Sequence, residues 1–433
     1  MAAPLSELIR SRRLWPLTLA QSCGALNDNL VKNAMVVLAI FRLGVGGAGL
    51  SALAGALFIA PYILLSATAG NLADRHSKSR LVVIYKTMEI VLMIAAAAAF
   101  LFASVPALLA VLVGLGIQAA LFGPVKYGVL PEYLADDELL AGNGIIEATT
   151  FVSIVCGSVA GGGLILLDSG PAVVGATGIV LALVGLFGAV RMPALPPADP
   201  GLNPGWNVAK ETLLVVGAAR AVRPIWLSVL GLSWFWVMGA TLMTEFPVIA
   251  RDTMLAGGSV LTLLLAVFAV GVGLGSIGCA RLLHGQVSAR FTPMAAVGIS
   301  VFCWDFAAAA AGAHGLVSAW AVLEAPAGWR MLLDLMLLAV CGGIFSVPLY
   351  AVIQEAAAPA QRSRMIAANN IMNALFMVTG SGTAAALAGI GFDAPGVLRV
   401  AAGLNLAAAG LIFAAFRGTR AGSFREAVAP EAE

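Results

Sequence analysis

Ionisable side chains stand inside stretches that are otherwise apolar, and four of them have the chemistry of a charged binding site. Asp28 and Lys32 are four residues apart, so a helix places both on one face. Lys126 follows a Gly-Pro pair, and Glu147 follows a Gly-Asn-Gly run. A lysine ammonium can receive a phosphate, and a carboxylate can receive an ammonium group or another cation. The four residues therefore predict a site for a charged ligand.

The composition decides where these charges must be positioned. The 433-residue chain is 61% hydrophobic and 11% charged, with a mean hydropathy of +0.98. Soluble domains carry about 25% charged residues. Apolar runs of about 20 residues follow one another along the chain, and each can cross about 30 Å of hydrocarbon. The sequence therefore predicts an all-α polytopic membrane protein. The net charge of +2 comes without a basic, aromatic-rich patch, so no nucleic-acid partner is expected.

The apolar runs predict about twelve transmembrane helices in two groups of six. A Pro- and Gly-rich linker and an amphipathic segment, which we expect on the membrane surface, separate the groups. The predicted domains are an N-terminal six-helix bundle (1–190), a cytoplasmic linker with the amphipathic segment Trp206 to Arg223 (191–223), and a C-terminal six-helix bundle with a short tail (224–433). The predicted helices are 15–41, 49–73, 80–104, 106–130, 139–168, 171–190, 224–250, 258–284, 289–313, 331–355, 364–390 and 395–416.

One stretch of the first half is repeated, with changes, in the second half. Residues 122–151 align with 345–376, and Phe122, Tyr127 and Asn143 match Phe345, Tyr350 and Asn369. The charges are not repeated, because Leu349 stands where Lys126 is and Asn373 stands where Glu147 is. Corresponding segments in two halves are typical of transporters built from repeats.

Basic residues predict the orientation of the chain. With the N-terminus in the cytoplasm and the first apolar run retained as a span, most basic residues become cytoplasmic, and both termini lie inside. The expected cytoplasmic residues are Arg10, Arg12, Arg13, Arg75, Lys78, Arg80, Arg191, Lys210, Arg220, Arg223, Arg281, Arg290, Arg362, Arg364, Arg417, Arg420 and Arg425.

The loop GNLADRHSKSR, residues 70–80, resembles the G-x-L-a-D-r-x-G-r-r loop of the major facilitator superfamily. Gly70 allows close helix approach, and Asp74 can cap a helix N-terminus or pair with a basic residue. We expect Gly70, Asp74, Arg75 and Arg80 to form a conformational latch on the cytoplasmic side. Ser77 replaces the usual second glycine, and a plain positive-inside loop is the alternative.

Other buried charges have open roles. Each would cost roughly 2.5–3.5 kcal/mol at the middle of a bilayer unless it is paired, wetted or near a helix end. Asp28 and Lys32 are either a structural pair or the lining of a site, and Asn27, Asn29 and Asn33 favour the lining. Lys86, Glu89, Glu245 and Asp305 are either functional or structural. We expect Asp334 and Glu355 to lie near helix ends. The cysteines Cys23, Cys156, Cys279, Cys303 and Cys341 share no ligand spacing, so no metal site is expected.

Six segments resemble the lysophospholipid transporter family of the major facilitator superfamily, in the order found in that family. They are LNDNLVKNAMVVL (26–38), FGPVKYGVLPEYL (122–134), NGIIEATT (143–150), GSVAGG (157–162), SWFWVMGATL (233–242) and GGIFSVPLYAVIQE (342–355). A similar transporter module also occurs fused to acylglycerophosphoethanolamine acyltransferases. The resemblance implies flipping of lysophosphatidylethanolamine, and of lysophosphatidylglycerol, from the outer to the inner leaflet of a bacterial inner membrane.

The resemblance also implies site residues. The acidic residue of helix one maps to Asp28, the lysine of helix four to Lys126 and the glutamate of helix five to Glu147. Family members can carry an arginine in helix seven, where this chain supplies Glu245 instead. Headgroup preference and ion coupling are therefore open.

No enzymatic activity and no bound cofactor are expected. None of His76, His284 and His314 begins an H-x4-D acyltransferase motif, and no phosphate-binding loop of the G-x4-GK[ST] type occurs. The expected co-substrate is a coupling cation, sodium or proton. We expect a monomer in the membrane, functionally coupled to a separate acyltransferase.

The resulting hypothesis gives each site residue a role in alternating access. Lys126, together with Lys32, receives the lipid phosphate. Asp28 and Glu147 meet the ethanolamine ammonium or the coupling cation, and Asn27 adds a polar contact. Trp236, with its neighbours Trp234, Phe235 and Met238, faces the acyl chain. Two alternatives remain open, namely a proton-coupled exporter of drugs or other small amphiphiles on the same fold, and a membrane scaffold or receptor that transports nothing.

Overall fold

The computed structural model describes residues 5–45, 48–205 and 207–416, and the regular structure in these ranges is helical, without strands. The all-α prediction is therefore confirmed. Trp206 and the predicted cytoplasmic residues Arg417, Arg420 and Arg425 lie outside the described residues, as does the rest of the predicted C-terminal tail.

The helices of the first half follow the predicted order, with short extra helices at the start and after the fourth span. The boundaries agree with the predicted ones to within a few residues. They are α1 (Leu5–Arg10), α2 (Trp15–Val37), α3 (Ala48–Arg75), α4 (Lys78–Leu101), α5 (Val105–Gly128), α6 (Leu130–Tyr133), α7 (Leu139–Leu164), α8 (Gly170–Val190) and α9 (Val208–Ala221). A π-helical turn, Leu38–Arg42, extends α2.

The second half repeats this order. Its helices are α10 (Arg223–Val248), α11 (Gly258–Leu282), α12 (Thr292–Ala311), α13 (Ala319–Glu324), α14 (Pro326–Ala356), α15 (Arg362–Gly389) and α16 (Ala394–Phe416). A second π-helical turn, Ile249–Thr253, extends α10. Each half thus has a π-helical turn at the end of its first long helix.

Eleven helices in the described part of the chain are long and apolar enough to cross a membrane. The long helix missing from that set is α2, whose 23 residues would still span about 34 Å. Its mean hydropathy is low because Asp28, Lys32 and three asparagines lie within it. The most polar of the predicted spans is therefore the one that carries two of the predicted site residues.

Contacts divide the described chain into two compact units. The first contains the described residues up to Gly142 together with Thr149–Val222 and Ala357–Ala374, and the second contains Asn143–Ala148, Arg223–Ala356 and the described residues from Leu375 onward. A segment near the start of α7 and the start of α15 are thus grouped away from the rest of their halves. The bundle boundaries predicted at residues 190 and 224 stay a prediction.

The two units use the same scheme of helix pairing. In the first unit α3 packs on α5, α4 packs on α5 and α8, and α2 packs on α8. In the second unit α11 packs on α14, α12 packs on α14 and α16, and α10 packs on α16. Each pair in one unit has its counterpart six spans later in the other.

Small residues let α2 and α7 approach closely in the first unit. A Cβ added at Gly161 would lie 3.0 Å from Leu30 Cα, and one added at Gly157 would lie 3.1 Å from Asn29 Cβ. Contacts this short are tighter than side chains normally make, so only glycine fits without displacing α2. The polar segment of α2 is therefore held directly against α7.

The amphipathic segment forms α9. Asn207 caps its N-terminus, with its side-chain oxygen accepting a hydrogen bond from Lys210 N at 3.0 Å. Val215 and Ala219 are buried, α9 packs on α3, and Leu213 and Leu214 are exposed. An exposed apolar pair on a helix with charged neighbours is typical of helices at a membrane surface, which remains our prediction for α9.

Candidate functional site

Asp28 lies at the centre of a group of charged side chains in the first unit. It is half-buried on α2, and it interacts electrostatically with Glu89, Lys86, Lys32 and Lys126. These groups come from α2, α4 and α5. Two other predicted site residues, Lys32 and Lys126, are therefore close enough for their charges to act on Asp28.

Asp28 and Lys32 share a helix face but do not form a close ion pair. Within the described ranges, no nitrogen–oxygen distance of 4.0 Å or less joins their side chains, although the two charges interact electrostatically. A pair that neutralised itself completely would leave little charge for a ligand. The separation leaves both side chains available for other charged groups in this conformation.

A second pair, Lys86 and Glu89, is closed and buried. Lys86 Nζ lies 2.6 Å from Glu89 Oε2, and the side chains are 0% and 1% exposed. Both residues lie on α4, three positions apart. The sequence left the role of these two residues open, and the structure shows that they form an ion pair.

Side chains from neighbouring helices complete the environment of Glu89. Asn27 Nδ2 donates to Glu89 Oε1 at 2.8 Å and to the carbonyl of Gly178 at 3.2 Å. Gln118 Nε2 donates to Glu89 Oε2 at 3.4 Å. Asn27, predicted as a substrate contact, is fully buried in this network, and its contact with a substrate stays a prediction. Gln118 was missed, because an isolated Gln in an apolar run gives no signal of its partner.

Lys126 lies in the last turn of α5 and is half-buried. Its Nζ is 4.6 Å from the centroid of the Tyr127 ring. An ammonium over an aromatic face gains about 0.5–1 kcal/mol when exposed and more when water is excluded. This contact holds the charge near the end of α5.

Glu147 is fully buried in the segment of α7 that belongs to the second unit. One helical turn earlier, Asn143 exchanges two hydrogen bonds with Gln354 of α14, at 2.6 Å and 3.2 Å. This reciprocal amide pair fixes α7 against α14 in the second unit. It therefore positions the turn that carries Glu147.

The aromatic residues of α10 divide between two environments in the second unit. Trp236, the predicted acyl-chain contact, is half-buried, and its indole N–H donates to Tyr350 Oη at 3.3 Å. Phe235 stacks on Phe345 with ring centroids 6.2 Å apart. A small apolar pocket lies beside them and is lined by Phe235, Met238, Gly239, Leu242, Phe268, Val272, Ile299, Leu338, Ala339 and Gly342. Trp234 instead donates to Asn405 Oδ1 at 2.8 Å.

The other acids that the sequence analysis named in the second unit have distinct surroundings. Asp305 forms an exposed ion pair with Arg330. Asp334 is not near a helix end, contrary to our prediction. Because proline fits the first turn of a helix, α14 begins at Pro326, and Asp334 lies more than two turns inside it. Glu355 does lie at the end of α14. Glu245 is 7% exposed on α10.

The predicted latch contains a closely bonded carboxylate. Asp74, at the end of α3, accepts hydrogen bonds from the backbone N–H groups of Ser363 (3.1 Å) and Arg364 (3.2 Å), and from Arg364 Nε (3.3 Å). It therefore binds the N-terminus of α15, where backbone amides lack intrahelical partners. A Cβ on Gly70 would lie 2.7 Å from Ala367 Cβ, which explains the glycine.

Further residues that were not predicted extend this cluster. Lys78 Nζ lies 2.6 Å from Glu132 Oε1 and 3.9 Å from Asp74 Oδ1. The linker reaches it as well, because Arg364 binds Asp199 Oδ2 at 3.2 Å and Asp199 N donates to Asp74 O at 2.8 Å. Arg75 is half-buried and Arg80 is exposed, and the described residues include no ion pair to either. The latch itself, with Gly70, Asp74, Arg75 and Arg80 as its residues, stays a prediction.

The site has the chemistry of charge recognition. Among the described residues, no group of three or more His, Cys, Asp or Glu side chains is arranged to hold a metal ion. Of the two predicted carboxylates, Asp28 lies in the first unit and Glu147 lies in the second unit.

Comparisons with known proteins agree with this architecture. The family model of the Major Facilitator Superfamily matches residues 17–323. The chain is 32% identical over 310 residues to a protein named Lysophospholipid transporter LplT from Escherichia fergusonii, covering 69% of this chain and 70% of the relative. It is 29% identical over 357 residues to the LplT of an Enterobacter species, covering 80% and 81%.

Comparison with a solved structure of low sequence identity supports the fold of this chain and does not bear on its substrate. The crystal structure of the human organic anion transporter MFSD10 (TETRAN) aligns with a TM-score of 0.75 and 13% identity, covering 95% of this chain and 100% of that chain. The matched family model, together with relatives that cover more than two thirds of the sequence, shows that this multi-pass membrane protein belongs to the lysophospholipid transporter family of the Major Facilitator Superfamily.

Proposed function

We propose that the protein is a secondary transporter that moves lysophospholipids from the outer to the inner leaflet of a bacterial inner membrane. Its substrates would be lysophosphatidylethanolamine and lysophosphatidylglycerol, carried by alternating access. The observation that supports this most directly is the charge cluster of Asp28, Lys32 and Lys126 in a chain whose relatives are named lysophospholipid transporters.

The phosphate of the head group would bind Lys126, with Lys32 as a second cation. Counted formally, Asp28 and the groups that act on it are three lysines and two carboxylates, which gives one excess positive charge. A phosphodiester carries one negative charge, so it offsets that excess. Lysine ammonium groups bind phosphate as strongly charged donors.

The residues proposed to bind a cation are Asp28, in the first unit, and Glu147, in the second unit. In lysophosphatidylethanolamine this cation is the ammonium of the head group, and in either lipid a sodium ion or a proton can take the same place. A carboxylate buried in a membrane is stable as an anion only with a counter-charge or water nearby. A cation at these carboxylates, whether the ethanolamine ammonium, a sodium ion or a proton, therefore supplies the counter-charge that they need.

The acyl chain would lie along apolar side chains of the second unit, with Trp236 as the first contact. Trp236 is half-buried and holds its N–H on Tyr350, so its ring is fixed in orientation. On the cytoplasmic side, Gly70, Asp74, Arg75 and Arg80 would form the latch, with Arg364 as the basic partner of Asp74.

We further propose that both termini are cytoplasmic, that the protein is a monomer, and that an acyltransferase consumes the lipid after transport. Transport into the inner leaflet supplies a monoacyl lipid where an acyl donor is available. This arrangement makes reacylation the reaction class that follows.

Uptake of labelled lysophosphatidylethanolamine by spheroplasts that lack their own transporter tests the proposal. Expression of the chain should restore uptake, and unlabelled lysophosphatidylglycerol should compete. Lysolipid should also raise the thermal midpoint of the purified protein more than a cationic drug does. No uptake, with stabilisation by the drug alone, would replace the proposal with a drug exporter.

A further inference from the structure

The first unit buries a charged pair to which the proposed function gives no role. Lys86 and Glu89 are among its least exposed polar side chains, and their charged atoms are 2.6 Å apart. Removing two ions from water costs several kcal/mol per ion, so a buried pair is weak evidence for stability. A pair at this depth therefore calls for a reason other than holding helices together.

The lysine of the pair lies against a glycine of α2 and an aromatic ring of α5. A Cβ on Gly24 would lie 2.6 Å from Lys86 Nζ, and a Cβ on Gly185 would lie 3.5 Å from Lys86 Cδ. The ring of Phe122 lies 5.1 Å from the ammonium. Gly24 on α2 thus leaves space for the ammonium, whereas a Cβ on Gly185 of α8 would make only ordinary van der Waals contact with the lysine stem. The aromatic face of Phe122 covers the ammonium.

The pair is connected to Asp28 in two ways. Asn27, the residue before Asp28, donates its side-chain N–H to Glu89 at 2.8 Å. Asp28 also lies in the electrostatic field of both Glu89 and Lys86. The first link fixes the turn of α2 that carries Asp28, and the second adds two opposed charges to its surroundings.

We propose that the Lys86–Glu89 pair is a positioning element that sets how strongly Asp28 attracts its cation. This inference rests on the proposed role of Asp28 as the cation-binding carboxylate. The two charges largely offset each other at Asp28 while both are present. Loss of Glu89 leaves Lys86 as an extra cation that repels the ligand, and loss of Lys86 leaves Glu89 as an extra anion that attracts it.

The test compares Glu89→Gln with Lys86→Met and measures the sodium concentration that gives half-maximal lysolipid uptake at fixed pH. A parallel series varies pH at fixed sodium, so that a proton and a sodium ion are distinguished. The half-saturating sodium or proton concentration should rise about tenfold in Glu89→Gln and fall about tenfold in Lys86→Met, as expected for one unit charge at this range in a partly polar medium. Arg330→Gln, which breaks the exposed pair with Asp305, is the control and should change neither value.

Opposite signs in the two variants support the inference, because a merely structural pair would impair both variants in the same direction. Shifts of the same sign, or no shift, overturn it. Where a single variant does not accumulate, the charge-swapped variant Lys86→Glu/Glu89→Lys keeps the pair and reverses its order. A cation response in the swapped variant that equals the wild-type response overturns the inference, and a changed response supports it.

A measurement without lipid separates this inference from the proposed function. Sodium, or protons in the pH series, should raise the thermal midpoint of the purified wild-type protein, and the variants should shift the half-effective concentration with the same signs. A wild-type protein that takes up no lysolipid contradicts the proposed function alone. A wild-type midpoint that responds to neither cation overturns the inference.

Discussion

Asp74 and Arg364 are joined twice, because one carboxylate accepts hydrogen bonds from both the backbone N–H and the Nε of the arginine, at 3.2 Å and 3.3 Å. The contact fixes the end of α3 to the first turn of α15. The carboxylate lies where the helix dipole is positive, so charge and hydrogen bonding act in the same direction. Under the proposed alternating access, this contact would stabilise one conformation and would have to break in the other.

Neutralising this carboxylate should slow transport without weakening lipid binding. A hydrogen bond to a charged group contributes about 1.5–3 kcal/mol. Because about 1.4 kcal/mol corresponds to a factor of ten, loss of one such bond in Asp74→Asn should lower the maximal rate about tenfold or more. The substrate concentration for half-maximal rate should change less than about threefold. Initial uptake rates over a range of lysolipid concentrations measure both quantities.

Arg75→Gln and Arg80→Gln serve as comparisons on the same segment. A defect confined to Asp74→Asn places the latch in the bonds to α15. An equal defect in all three variants points instead to the general effect of charge on insertion and orientation. A normal maximal rate in Asp74→Asn would show that this contact does not limit transport.

Replacing Asp28 with asparagine should remove the dependence of transport on the coupling cation. The amide keeps the size and polarity of the side chain but has no charge with which to hold a cation. Uptake in Asp28→Asn should therefore be slow and should not respond to sodium or to pH. Measurement of uptake against both gradients tests this, with Asp252→Asn as an exposed acidic control. Wild-type rates with the wild-type ion response would exclude Asp28 as the coupling residue.

The pair between Arg13 and Glu138 makes a contribution to stability that depends on pH. Arg13 binds Glu138 at 2.7 Å and 2.8 Å, and this hydrogen bond holds the pKa of the Glu138 carboxyl below its ordinary value of 4.5. Because the folded-state pKa is depressed, the contribution is complete above about pH 4.5 and is lost as the pH falls through the folded-state value.

Glu138→Gln should therefore be less stable than wild type at pH 7 by about 0.5–1 kcal/mol, since Arg13 is nearly half exposed. The difference should shrink as the pH falls below 4.5. Thermal unfolding of the detergent-solubilised protein at pH 7 and pH 4 measures it, and Arg13→Gln should behave in the same way. A difference that grows toward acidic pH would contradict the ion-pair assignment.

Two glycines two residues apart on α7 should respond oppositely to alanine. At Gly161 an added Cβ would lie 3.0 Å from Leu30 Cα, whereas nothing lies within 4 Å of one added at Gly163. Gly161→Ala should destabilise the protein by about 1–3 kcal/mol through overpacking against α2. Gly163→Ala should be neutral or more stable by up to about 1 kcal/mol, because alanine favours the helix. Thermal midpoints compare them, and equal effects would mean that α2 and α7 do not pack as closely as described.

The sequence predicts the helices well because each long apolar run must satisfy its own backbone hydrogen bonds in lipid. Lys86 and Glu89, three residues apart, form an ion pair that helical spacing permits, although the sequence left their role open. The boundary of α14 was misplaced because Pro326 was not recognised as its first residue, and this error put Asp334 near a helix end.

Contacts between distant helices could not be predicted in the same way. Gln118 donates a hydrogen bond to Glu89, Arg364 donates one to Asp74, and Gln354 donates one to Asn143. A single sequence does not show which helices are neighbours, so these contacts could not be predicted. The internal repeat gave a partial indication of which residues matter, because Asn143 and Glu147 lie in the repeated segment. The acidic residue of the predicted latch was identified from its motif, whereas its partner on α15 has no local signal.

The most direct test of the account is the uptake of labelled lysophosphatidylethanolamine by spheroplasts that express either wild type or Lys126→Ala, at matched amounts of protein in the membrane. Lys126→Arg tests rescue by charge, and Lys210→Ala, on the exposed surface of α9, is the control. The account predicts that Lys126→Ala loses at least about tenfold in rate, that Lys126→Arg retains part of it and that Lys210→Ala is normal. Uptake by Lys126→Ala at close to the wild-type rate would contradict the central claim that this lysine receives the phosphate of the lipid.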